Sequence, residues 1–133
     1  MKLMNRRTMH MAADMLVSKA LEGYPVAALC HRSDFHYFLH LVKTQLDTIV
    51  TQLPETDVKM YEGGRIVTID NRGRNGSIHI CEDPDRMAGL AYTLIFIHEE
   101  FASSGDAARL ASREYPEEKF NVKRPTLTFT NHK

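Results

Sequence analysis

Two adjacent glutamates follow the most apolar segment of the chain, and their position is the strongest indication of chemistry in the sequence. Residues 92–97 form a short apolar run that predicts a buried strand, and His98, Glu99 and Glu100 come directly after it. In parallel α/β sheets, ligands bind beyond the carboxyl ends of the strands. Either glutamate is therefore a candidate general base or metal ligand, with His98 beside it. The alternative is that both are solvated charges or cap the next helix.

Four arginines around a predicted hairpin form the second candidate site. Segments 65–70 and 77–81 are β-rich, and residues 71–76 between them contain two glycines that can supply the positive φ angles of a hairpin loop. Such arginines could contact the phosphates of nucleic acid. The alternative is an ordinary polar turn. The four residues are Arg65, Arg72, Arg74 and Arg86.

The histidines and cysteines show no metal-binding motif. His36 and His40 have a spacing seen in metal sites, but they lie opposite the apolar stripe of their predicted helix, which favours solvated surface. Cys30 and Cys81 each end an apolar segment, and we expect them to be reduced structural residues. We therefore predict no metal site.

The spacing of apolar residues predicts the scaffold that positions these groups. Helices are expected over 9–21, 33–53 and about 106–115, and buried strands over 26–30 and 92–97. A last strand is expected over 126–130. With the hairpin, this order is a layered α/β pattern. We expect one α/β domain over residues 1–133, with three layers and a mostly parallel sheet that carries an inserted β-hairpin.

The composition limits the classes of partner. The 17 basic and 17 acidic residues balance, so nucleic acid would have to bind at a local patch, and self-association or a protein partner is favoured. No segment approaches the ~20 apolar residues that span a bilayer, and the N-terminus does not resemble a signal peptide. We expect a cytoplasmic protein without membrane contact, in the host cytoplasm if a phage encodes it.

The stretch from 83 to 100 resembles the segment that leads into the Walker B motif in the ATPase domain of phage terminase large subunits. In both, a hairpin and a polar loop precede an apolar strand that ends at acidic residues. In Walker B an aspartate helps to hold Mg²⁺ and the next glutamate activates water. The resemblance implies a P-loop NTPase-like core, with Glu99 in the place of that glutamate and His98 in the place of the aspartate.

The phosphate-binding motif of that family is missing. A P-loop needs the pattern Gly-x4-Gly-Lys-Ser/Thr, because glycine amides wrap the phosphates and the lysine reaches them. Aligned with residues 4–11, both glycines become methionine (Met4 and Met9), the lysine becomes His10 and the hydroxyl residue becomes Met11. The sequence also leaves no room for the strand that presents such a loop. We therefore expect neither ATP nor Mg²⁺ as a cofactor, and the balance is against an enzyme.

The sequence predicts a non-catalytic, P-loop-ATPase-like accessory or regulatory protein that acts through protein or nucleic-acid contacts. A phage is the source that the resemblance to terminases implies. The methionines near the N-terminus either pack in the core or contact a partner. Two alternatives stay open. One is a small metal-dependent hydrolase of nucleotides or nucleic acid that uses Glu99, Glu100 and His98. The other is a DNA- or RNA-binding module that uses the arginine hairpin.

Overall fold

A six-stranded mixed sheet and three helices make up the protein, as seen in a computed structural model that describes residues 1–87 and 89–122. In chain order the elements are β1 Lys2–Met4, α1 Met9–Leu21, β2 Pro25–Leu29, α2 Phe35–Gln52, β3 Thr56–Tyr61, β4 Ile66–Asn71, β5 Arg74–Cys81, β6 Leu94–His98 and α3 Gly105–Ala111.

The strand order in the sheet is β1–β6–β2–β5–β4–β3. The first four of these strands are parallel to one another, and the last two are joined antiparallel. The carboxyl ends of β1, β6, β2 and β5 therefore meet along one edge of the sheet, which we call the carboxyl edge. Because β4 runs the other way, its first residues lie at this edge too.

Helices cover both faces of the sheet. The apolar stripes of α1 and α2 pack on one face against the inward side chains of β2, β4 and β5. Small residues line the contact side of α1, namely Ala12, Ala13 and Ala20, and they allow close approach to the sheet. On the other face, Leu110 of α3 packs with Met87, Tyr92 and the alternate side chains of β2 and β6. The layered α/β architecture is therefore confirmed.

Two strands differ from the sequence-based expectation. A strand does precede α1, so the expectation that no room exists for it is wrong: three residues are enough, because β1 pairs with the end of β6. Strand β3 was not predicted. β3 is an edge strand, and most of its residues, including Asp57 and Lys59, are exposed. Its sequence therefore lacks the continuous apolar run that marks a buried strand.

The hairpin of β4 and β5 is part of the sheet rather than an insertion into it. Its second strand pairs along five residues with β2, from Pro25 opposite Ser77 to Leu29 opposite Cys81. Helix α3 ends at Ala111, several residues before the expected end. The strand expected over 126–130 lies outside the described residues. None of the helices that the structure describes combines the length and the apolar character needed to cross a membrane.

Candidate functional site

Two loops at the carboxyl edge begin in the same way, with a histidine that caps a short 3₁₀ turn. His31 follows β2 and precedes the turn Arg32–Asp34, while His98 ends β6 and precedes the turn Glu99–Phe101. The Nδ1 atom of His31 accepts a hydrogen bond from the Ser33 amide at 3.2 Å, and the Nδ1 atom of His98 accepts one from the Glu100 amide at 3.1 Å. An amide N–H can only donate, so in each neutral ring the proton is on Nε2.

The two histidines face each other's loops. Nε2 of His31 lies 3.4 Å from Oε2 of Glu100, and Nε2 of His98 lies 3.7 Å from Oδ2 of Asp34. The ring centroids are 6.0 Å apart. Each imidazole is thus paired with a carboxylate from the loop of the other strand, and this reciprocal arrangement joins the ends of the neighbouring strands β2 and β6.

The loop after β1 is attached to both of the others. Arg6 donates to Oδ1 of Asp34 at 2.6 Å, and its guanidinium group lies 3.7 Å from the centroid of the Tyr37 ring. The side-chain amide of Asn5 donates from Nδ2 to Oε2 of Glu99 at 3.3 Å. Asp34 therefore receives cationic or polar partners from two loops, and it is the residue on which the arrangement of the edge depends.

The two glutamates singled out by the sequence lie at this edge, but they point to different partners. Glu99 contacts Asn5 and Glu100 contacts His31. Among residues 1–87 and 89–122, no group of three or more His, Cys, Asp and Glu side chains is placed to hold a metal ion. The geometry therefore does not support a shared metal site for Glu99, Glu100 and His98.

The segment between β1 and α1 uses its own side chains to satisfy its backbone amides. Oδ1 of Asn5 accepts from the Arg7 amide at 2.9 Å and from the Thr8 amide at 3.2 Å, and Oγ1 of Thr8 accepts from the Asn5 amide at 2.9 Å. Met4 and Met9, in the places of the two P-loop glycines, are buried in the core. The backbone amides of Asn5, Arg7 and Thr8 are therefore already hydrogen-bonded.

The two histidines differ in their access to solvent. His98 is 7% exposed and both of its ring nitrogens face protein groups, whereas the side chain of His31 is 44% exposed. The Ser33 hydroxyl lies 2.8 Å from Nδ1 of His31. His31 is therefore the imidazole that solvent reaches, while His98 and Asp34 lie within the contact between the loops.

The sequence-based analysis did not single out His31, Asp34 or Arg6. One indication was available: His31 follows the buried segment 26–30 as directly as His98 follows the segment 92–97. The importance of Asp34 and Arg6 depends on β1 and β2 both lying beside β6, and this neighbourhood is a property of the tertiary fold.

The four candidate arginines do not form one patch. Arg65 and Arg86 lie at the carboxyl edge, whereas Arg72 and Arg74 lie at the turn at the other end of the hairpin. A strand of six residues is about 20 Å long, which separates the two pairs. Three of the arginines are ion-paired: Arg65 with Glu82, Arg72 with Glu55, and Arg86 with Glu62.

The remaining candidates lie on the helix surface or in the core. His36 and His40 are exposed on α2, as the helical spacing predicts. Cys30 and Cys81 are buried free thiols. Burial raises the pKa of both thiols, that of Cys81 to about 11, so both are uncharged at neutral pH. They are structural residues of the strands rather than nucleophiles.

The carboxyl edge thus presents histidines, arginines and carboxylates from the loops after β1, β2, β5 and β6. Comparison of the chain with protein-family models, curated proteins and solved structures found no match. The function is therefore inferred from the chemistry and geometry of this edge.

Proposed function

We propose that this chain is a P-loop-like accessory or regulatory binding protein that does not hydrolyse nucleoside triphosphates. The observation that carries the proposal is the closed segment between β1 and α1. A P-loop holds phosphates with backbone amides at this point of the fold. Here the amides of Asn5, Arg7 and Thr8 donate to side chains of the same segment, so a phosphate would have to break those hydrogen bonds before it could bind.

The end of β6 supports the same proposal. In a Walker B motif the carboxylates stay available for Mg²⁺ and water. In this protein His98 stands in the place of the metal-linked aspartate, and Glu99 is held by Asn5. The nearby carboxylate of Asp34 is occupied by Arg6 and faces His98. These contacts engage the carboxylates that a metal and its water would otherwise use.

Exposed methionines on α1 support a protein as the partner. Met11 and Met15 are four residues apart on one helix face and are 55% and 40% exposed. Met15 lines a shallow cavity of about 290 Å³ together with Leu94 at the start of β6. Flexible methionine side chains suit adaptable protein contacts. In the described part of the chain β1 pairs only with β6.

Purified protein should show no magnesium-dependent ATP turnover above a buffer blank, and millimolar MgATP should not stabilise it. A ligand at 100 times its Kd would add about 2.7 kcal/mol to the free energy of unfolding, which is readily seen as a rise in Tm. Phosphate release and thermal denaturation are the measurements. Stoichiometric turnover that disappears in Glu99→Gln would overturn the proposal and favour the hydrolase alternative.

A partner test follows from the resemblance to terminase ATPases. Titrating the purified protein into a terminase-type ATPase should lower the rate of ATP turnover by that enzyme, because a related scaffold can occupy a subunit interface. The double variant Met11→Glu/Met15→Glu should lose this effect. The variant His40→Glu, which adds a charge to the exposed face of α2, is the matched control. Equal inhibition by both variants would show that the methionines take no part.

A further inference from the structure

A cavity of about 150 Å³ opens at the carboxyl edge beside β4 and β5, apart from the loops of His31 and His98. It is lined by Glu62, Arg65, Ile66, His79, Arg86 and Leu90, together with the Cys81 thiol. We propose that this cavity binds a phosphate group, either free or as a phosphate monoester. This volume is below the roughly 300–1,000 Å³ of typical small-molecule pockets, so the cavity suits one small group rather than a whole nucleotide.

Two guanidinium groups reach the cavity from different elements. The guanidinium of Arg65 lies 4.5 Å from the centroid of the Phe35 ring, and Glu82 holds it in a salt bridge. Arg86 comes from the segment after β5 and is about half exposed. Arg65 donates to Glu82 and to the backbone carbonyl of Glu62, and Arg86 donates to the Glu62 carboxylate. Guanidinium groups are the planar, charge-assisted donors that phosphate oxygens require. Ile66 and Leu90 provide apolar walls for the organic part of an ester.

His79 provides a third donor. Its Nδ1 lies 2.9 Å from the hydroxyl of Tyr92, a residue that is 1% exposed. Burial raises the pKa of Tyr92 and lowers the pKa of His79, so at neutral pH the phenol keeps its proton and the imidazole is uncharged. In the tautomer in which the phenol donates to Nδ1, the imidazole proton is on Nε2, and Nε2 is then a donor for a ligand oxygen.

The carboxylate of Glu62 competes with a phosphate for Arg86. Burial raises the pKa of Cys81 to about 11, so among the described lining residues Glu62 alone is negatively charged at neutral pH. Its Oε1 atom lies 3.1 Å from Arg86, where it satisfies the guanidinium that a phosphate would otherwise bind. Its backbone has φ of +53°, a conformation that residues other than glycine rarely adopt. Gly63 and Gly64, both with positive φ, follow it. A strained residue beside two glycines can move when a ligand displaces its carboxylate.

The proposal predicts that substitutions of Arg86 and of Glu62, which form an ion pair, change phosphate affinity in opposite directions. Isothermal titration calorimetry of the full chain with inorganic phosphate and with phenyl phosphate should show saturable binding at one site. Arg86→Gln should weaken the affinity at least about tenfold, since a charge-assisted donor is lost. Glu62→Gln should tighten it severalfold, because the competing carboxylate is gone while the shape is kept. Thermal denaturation of each variant confirms that it is folded.

Arg72→Gln is the matched control, because Arg72 is also paired with a glutamate but lies at the far end of the hairpin. The affinity of this variant for both phosphate compounds should equal that of the wild type.

A 5′-phosphorylated oligonucleotide and its 5′-hydroxyl form distinguish the two sources of the phosphate. Tighter binding of the phosphorylated oligonucleotide than of phenyl phosphate indicates a nucleic-acid end, and equal binding indicates a small ester. The proposal fails if neither phosphate compound binds. It fails equally if Arg72→Gln weakens binding as much as Arg86→Gln, or if Glu62→Gln does not tighten it.

Discussion

Gly76→Ala should remove most of the stability of the fold, with an expected loss of about 4 kcal/mol or more in the free energy of unfolding. A β-carbon at position 76 would lie 2.6 Å from the carbonyl carbon of Ala20 and 2.9 Å from its Cα atom, and closer still to the carbonyl oxygen. These are backbone atoms of α1 and cannot rotate away. The helix would have to move away from β5, which would open the contact that its alanines make with the sheet.

Urea denaturation followed by circular dichroism measures this loss, with Gly105→Ala as the control. A β-carbon on Gly105, the first residue of α3, has nothing within 4 Å. Alanine there should be neutral or stabilise the protein by up to about 1 kcal/mol, because it restricts the unfolded chain. If the free energy of unfolding of Gly76→Ala lies within about 1 kcal/mol of the wild-type value, α1 does not pack closely against β5.

The elements that the sequence predicted well are those with a strong local pattern. The long helix was expected over 33–53 and forms as Phe35–Gln52, because apolar residues recur at helical spacing for five turns and Pro54 prevents continuation. The buried strand β2 was recognised from its short apolar run. In both cases the residues that bury the element are contiguous or periodic in the sequence, so no knowledge of its neighbours is needed.

The elements that the sequence missed are defined by their partners. β1 has only three residues, of which two are exposed, and it exists as a strand because it hydrogen-bonds to β6. β3 carries charged residues on an edge, where burial is only partial. The place of β5 inside the sheet depends on its parallel pairing with β2, some fifty residues away in the chain. Such pairings are tertiary and leave no periodic trace in the strand itself.

Only part of the candidate site was predicted, because only part of it depends on a local sequence pattern. The sequence correctly placed Glu99 and Glu100 directly after a buried strand, whereas His98, expected after the strand, is its last residue. The sequence could not show which loops lie beside them, since that depends on β6 being flanked by β1 and β2. The neighbourhood changes the chemistry: the glutamates turn to Asn5 and His31 rather than to each other. Similarly, the arginines separate because the hairpin is fully extended between them.

Asp34→Ala should cost about 2 kcal/mol of stability, the largest effect we expect from a polar residue of the edge. The Asp34 side chain is only 15% exposed, and it faces Nε2 of His98 on one side and accepts from Arg6 on the other. Its removal takes away the acceptor of the Arg6 hydrogen bond and the carboxylate that faces the mostly buried His98 ring, and losing a charged acceptor is costly.

Arg6→Ala should cost less than about 1 kcal/mol of stability, because the Arg6 side chain is 57% exposed and its ion pair is weakened by solvent.

A double-mutant cycle separates the contribution of the histidine from general damage to the loop. In a His98→Leu background the imidazole N–H is absent, so Asp34→Ala should cost clearly less than it does in the wild type. Denaturant unfolding of the four proteins gives the coupling energy, which we expect to be about 1 kcal/mol. Equal costs in the two backgrounds would mean that Asp34 and His98 do not interact energetically. The loops after β2 and β6 would then be joined through the contact of His31 with Glu100, since the backbone caps at Ser33 and Glu100 act only within each loop.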